Sequence, residues 1–135
     1  MDKLEEILKQ LAEVGVSFEV QEKNLYQLTY DEIKMELFKK DHELYLKTRL
    51  APCPKEKKEA LFSLLMKANQ LGSGTYGNAI GLDNQEKFLT LTCQLPYDII
   101  YKDLKEKIEL FLGCLHFWQE EIKNFSQKPA VGTNG

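Results

Sequence analysis

Histidine is nearly absent from this chain, with two in 135 residues, and cysteine is scarce, with three. His42 and His116 have no second His or Cys at zinc-ligand spacing except Cys114, two positions before His116, and residues two apart on a helix point in different directions. Neither a zinc site nor a Cys-His nucleophile pair is supported. Cys53, Cys93 and Cys114 are odd in number, widely spaced and contain no Cys-x-x-Cys pair. That pattern fits reduced thiols in a reducing compartment rather than a disulfide scaffold. Long apolar runs are missing too: none approaches the ~20 residues that cross a bilayer. The opening MDKLEEILKQ alternates charge with Leu and Ile, unlike a signal peptide. An excess of one charge is also lacking. The formal net charge is −3, and Lys55, Lys57 and Lys58 are interrupted by Glu56 and followed by Glu59, as on a solvated helix face. A nucleic-acid backbone is therefore a poor partner. The expectation is no metal, no cofactor, no direct nucleic-acid contact and no membrane insertion.

What is present is an ordinary globular composition, 43% hydrophobic and 29% charged, in a length that holds one domain. Leu4, Ile7, Leu8, Leu11 and Val14 repeat at helical spacing before Gly15. A variable stretch, Ser17 to Asn24, follows, with a short extended piece at Phe18 to Val20. Period-two segments then run from Leu25 to Tyr30, Ile33 to Lys39 and Glu43 to Leu50, with turns at Asp31 and at Lys40-Asp41-His42. Ala51-Pro52-Cys53-Pro54 ends this sheet region. A helix from Lys55 to Leu71 places Leu61, Leu64, Leu65, Ala68 and Leu71 on one stripe, with Phe62 and Met66 displaced to the side. Such breadth requires cover on more than one side, including a second subunit. Ala79–Asp83 and Glu86–Leu95 read as a hairpin, and Ile99 to Lys123 as a final helix carrying Trp118. The fold class is α+β: one domain over residues 1–125, order α-β-β-β-α-β-β-α, an antiparallel twisted sheet flanked by three helices. Residues 126–135 read as a disordered tail.

Gly72-Ser73-Gly74-Thr75-Tyr76-Gly77 is a literal G-x-G-x-x-G. A dinucleotide fold needs those glycines after a strand and opening a helix. Here a helix precedes and a strand follows, so a helix cap and loop explain them better. Elsewhere, Phe38, Tyr45 and Phe88 fall out of phase with the apolar rows of their strands, on the face that should be wet. Either a partner or the chain's own first helix must cover them.

The residues LLMKANQLGSGTYGNAIGLD, FLTLTCQLP and the late LHFWQEEI, within Leu64 to Trp118, resemble the class I type III secretion chaperones of the Tir-chaperone (CesT-like) family. The shared positions are Leu64-Leu65, Ala68-Asn69, Gly74, Gly77, Gly81-Leu82-Asp83 and Trp118. The resemblance implies a cytoplasmic bacterial protein that dimerises, with itself or with a related chaperone. It also implies binding of the N-terminal segment of a secreted effector in extended form, without ATP or catalysis. Combining that implication with the faces read above assigns effector binding to Leu4, Leu8, Leu11, Phe38, Tyr45 and Phe88, and the dimer interface to Phe62, Met66 and Ile80. Two other readings compete. One is a regulatory protein of this fold that binds a transcription or secretion component such as RNA polymerase. The other is a small nucleotide-binding enzyme built on Gly72–Gly77.

Overall fold

The computed structural model describes residues 3–53, 55, 58–71, 78–83 and 85–127. The elements follow as α1 (Lys3–Ala12), β1 (Ser17–Glu22), β2 (Leu25–Tyr30), β3 (Ile33–Lys40), β4 (Glu43–Pro52), α2 (Lys58–Leu71), β5 (Ala79–Leu82), β6 (Phe88–Leu95) and α3 (Tyr101–Gln127). One strand more than expected stands before α2. The Phe18–Val20 piece is the middle of a full strand, β1, which pairs with β2 from Ser17↔Thr29 to Glu22↔Leu25.

The six strands form one antiparallel sheet in the order β1-β2-β3-β4-β6-β5. β2, β3 and β4 form a meander because two-residue turns join them. Asp31 and Glu32 have φ of 49° and 70°, Asp41 and His42 of 51° and 64°. Positive φ at both turn residues matches the right-handed twist of the flanking strands. Period two then sorts the side chains. Tyr26, Leu28, Met35, Leu37, Leu44, Leu46, Leu91, Cys93 and Leu95 share the inner face and are buried.

All three helices contribute to the single core on that inner face. α1 supplies Leu4, Leu8 and Leu11, α2 supplies Leu61, Leu65 and Ala68, and α3 supplies Leu104, Ile108, Phe111, Leu115, Trp118 and Ile122. Leu64, read from sequence as part of the α2 stripe, is 42% exposed instead, because the buried stripe of α2 narrows to Leu61, Leu65 and Ala68. α3 runs through Gln127, so Ser126 and Gln127 are helical rather than part of a tail. Residues 128–135 and the Gly72–Gly77 loop lie outside the described residues.

Candidate functional site

Among the described residues the surfaces suited to binding are the two sheet edges, the open sheet face and the grooves beside the helices. β1 is one edge. Every residue in it except Phe18 is exposed, and the ladder to β2 is irregular between Val20 and Glu22. Glu19, Glu22 and that irregularity blunt the edge against indiscriminate pairing, while its Ser17–Val20 half keeps regular strand register.

The opposite edge, β5, is closed by a side chain. The Asn69 side-chain N–H donates to the Ile80 carbonyl at 2.7 Å, and the Ile80 N–H donates to Asn69 Oδ1 at 2.8 Å. Asn69 on α2 thus stands where a further strand would pair, and fixes α2 against β5. Beside it lies a small apolar cavity of about 160 Å³ lined by Phe62, Leu65, Met66, Ile80, Gly81 and Leu82. Met66 is 64% exposed and Phe62 half-buried, whereas Ile80 is buried and forms the floor.

On the open face, strand register sets out the side chains in rows. Leu25, Phe38, Tyr45 and Gln94 form one row, and Gln27, Glu36, Lys47 and Thr92 the next. Phe38 and Tyr45 stack with ring centroids 5.4 Å apart. Phe88 lies at the far end of the sheet under the Arg49 guanidinium, whose central carbon is 4.1 Å from the ring centroid. The three aromatics share the face, as the sequence predicts, but form two clusters separated by a charged band. α1 does not cover them, because its leucines sit in the core on the other side.

A groove not foreseen in the sequence runs between the end of α1, the β2–β3 turn and α3. Its volume is about 520 Å³, and Val14, Tyr30, Ile33, Ile108, Leu112 and Gly113 line it. Leu110 and Phe117, exposed on α3, are seven residues apart and off the buried stripe. That offset was visible in the sequence as apolar residues outside the 3-4 pattern.

The shifted groups of the described residues owe their shifts to burial and to local hydrogen bonds. Burial pushes the Cys93 and Cys114 thiols up. For Cys93 the nearby Cys114 adds to this and Lys107 opposes it; for Cys114 a hydrogen bond with Asn78 opposes it. None of the three cysteines forms a disulfide. Desolvation raises the Asp83 carboxyl, but backbone N–H groups of Lys87, Phe88 and Gln85, with the Arg49 charge, outweigh it and hold the group below its ordinary value. Asp83 therefore ties the β5–β6 turn as a carboxylate, accepting from Lys87 N–H at 2.9 Å. Among the described residues no cluster of His, Cys, Asp and Glu could hold a metal ion, and no helix is long and apolar enough to cross a membrane.

The three α1 leucines assigned to effector binding face the core: Leu4 is buried and Leu8 and Leu11 are 0% exposed. Phe38, Tyr45 and Phe88 are half-buried and accessible. Phe62, Met66 and Ile80 are brought together.

A six-stranded sheet with helices on one face, an exposed edge strand and apolar grooves defines a binding scaffold. The chain belongs to the Tir chaperone protein (CesT) family, whose model matches residues 6–119. A chain of the ExsC-ExsE complex superposes with a TM-score of 0.73 at 17% identity, covering 98% of this chain and 100% of that one. A chain of the HopA1-SchA chaperone-effector complex superposes with a TM-score of 0.65 at 16% identity, covering 87% and 91%. No curated protein sequence matches the chain. The family is one of chaperones, and the second of these neighbours is a chaperone-effector complex.

Proposed function

We propose that this protein is a cytoplasmic type III secretion chaperone that binds the N-terminal segment of a secreted effector in extended form, without ATP and without catalysing a reaction. The family match across residues 6–119 carries the proposal. The fold supplies a physical route. An extended segment adds to the exposed β1 edge, gaining main-chain hydrogen bonds, and places alternate side chains on the flanking surfaces. Phe38, Tyr45 and Phe88 offer aromatic contacts on the open face. Ordering a flexible segment costs ~2–5 kcal/mol, so a long contact path is required.

A second copy of the chain, or a related chaperone, is seated at the α2–β5 surface. There Phe62 and Met66 are accessible over the Ile80 floor, and truncating or charging the exposed side chains would spare the core. The test is affinity capture of the tagged protein from its native cells, followed by mass spectrometry. The expected result is one or a few secreted proteins held through their N-terminal segments. Recovery of only transcription components would replace this reading with the regulatory one.

A further inference from the structure

The chain has a single arginine, Arg49, and it sits on the open face of the sheet where nothing in the effector-edge reading requires it. Its guanidinium carbon lies over the Phe88 ring, 4.1 Å from the centroid. Arg49 is paired in register with Thr90 on β6. Thr90 is only 5% exposed, and its hydroxyl makes no hydrogen bond with any described residue. Thr48, the other buried threonine and on β4, instead donates to the Lys34 carbonyl at 2.8 Å. A buried hydroxyl left without a partner costs stability, so it marks a place where a ligand atom belongs.

That place is a groove of about 430 Å³ lined by Gln27, Lys34, Glu36, Lys47, Thr48, Arg49, Asp83 and Thr90. Gly81 lies next to the hydroxyl: a Cβ there would sit 3.8 Å from Thr90 Oγ1, at ordinary contact distance. Two acids line the groove, but Asp83 is engaged by the backbone of Lys87 and Phe88. Lys34, Lys47 and Arg49 outnumber Glu36 and Asp83 by one charge, and Arg49 also acts on the Asp83 carboxylate through space. None of the three makes an ion pair with a described residue. A planar guanidinium, pre-oriented by its ring, beside two ammonium groups and a hydroxyl donor suits a carboxylate.

We infer that this groove binds a carboxylate carried on an acidic side chain of the polypeptide partner, with Arg49 and Thr90 as its direct donors and Lys34 and Lys47 as charge support. The carboxylate chemistry stands on the groove itself; that a polypeptide delivers it rests on the function proposed above.

The test is an amide NMR titration of the intact protein with acetyl-Ala-Glu-Ala-Glu-amide. Its glutamine counterpart and inorganic phosphate serve as separate arms. The acidic peptide should give saturable shifts at Gly81, Thr90 and Arg49, and the glutamine peptide none there. Arg49→Gln should weaken binding about tenfold or more, as loss of a charge-assisted bond predicts. Thr90→Val should weaken it several-fold while Thr90→Ser retains it, with the fold of all variants checked by circular dichroism. Equal shifts from both peptides, or shifts mapping elsewhere, overturn the proposal. Phosphate binding as tightly as the acidic peptide overturns the polypeptide assignment in favour of a free-anion site. Effector capture is measured separately. Capture without peptide binding sinks this site alone, whereas peptide binding without capture sinks the chaperone reading alone.

Discussion

The side-chain amide of Asn69 spans the outer edge of β5, donating to the Ile80 carbonyl and accepting from its N–H. Both backbone groups would otherwise lack a partner where Ile80 is buried, and leaving a buried group unsatisfied costs ~1–3 kcal/mol. Asn69→Ala should therefore lower unfolding stability by about 2 kcal/mol in urea titration. A loss below a few tenths would mean that water substitutes for the amide. The thiols give a second residue-scale prediction. Burial raises Cys93 and Cys114, so less thiolate is present at mildly alkaline pH, and the thiolate is the nucleophile. Iodoacetamide should modify half-buried Cys53 first and spare the other two until urea unfolds the chain, as read by mass spectrometry. Equal rates in the folded protein would contradict the packing of β6 against α3. The Asn69 bridge was not legible in the sequence. The Ala68-Asn69 and Gly81-Leu82-Asp83 segments stood out only as resemblance, because the bond that joins Asn69 to Ile80 spans a loop of unpredictable path. The unpartnered Thr90 hydroxyl was hidden likewise, being a matter of cross-strand register.

At the scale of elements, what could be read and what could not have a common cause. β3, β4 and β6 bury one face against helices, so apolar residues alternate and the strands announce themselves. β1 is an edge strand with a single half-buried residue, so SFEVQE carries no such alternation. α1 shows the converse difficulty. Its leucine stripe is a true amphipathic face, yet periodicity cannot distinguish a face that meets the chain's own core from one that meets a partner. Only burial decides, and it places Leu8 and Leu11 in the core. On α2 the stripe read from sequence is broader than the buried one, since Leu64 and Met66 stay exposed. Met66→Asp should therefore yield a monomer by light scattering with the helical circular dichroism intact, because the side chain is solvent-facing in the single chain. An unchanged dimer would move the interface away from α2 and β5.

For the whole molecule, the layout separates tasks. The three helices occupy one face and build the core, leaving the other face and the β1 edge open. The α2–β5 end carries a small apolar cavity, and β1 lies at the far side of the same sheet. The aromatic pair Phe38–Tyr45 and the Arg49–Phe88 stack lie along the way between the edges. The central claim is that β1 receives the effector. It is tested most directly by amide hydrogen–deuterium exchange of the captured complex against the protein alone. The account predicts slowed exchange across Ser17–Val20 when effector is bound, with the α3 core unchanged. Unaltered exchange along β1 in a complex that holds its effector tightly would contradict it.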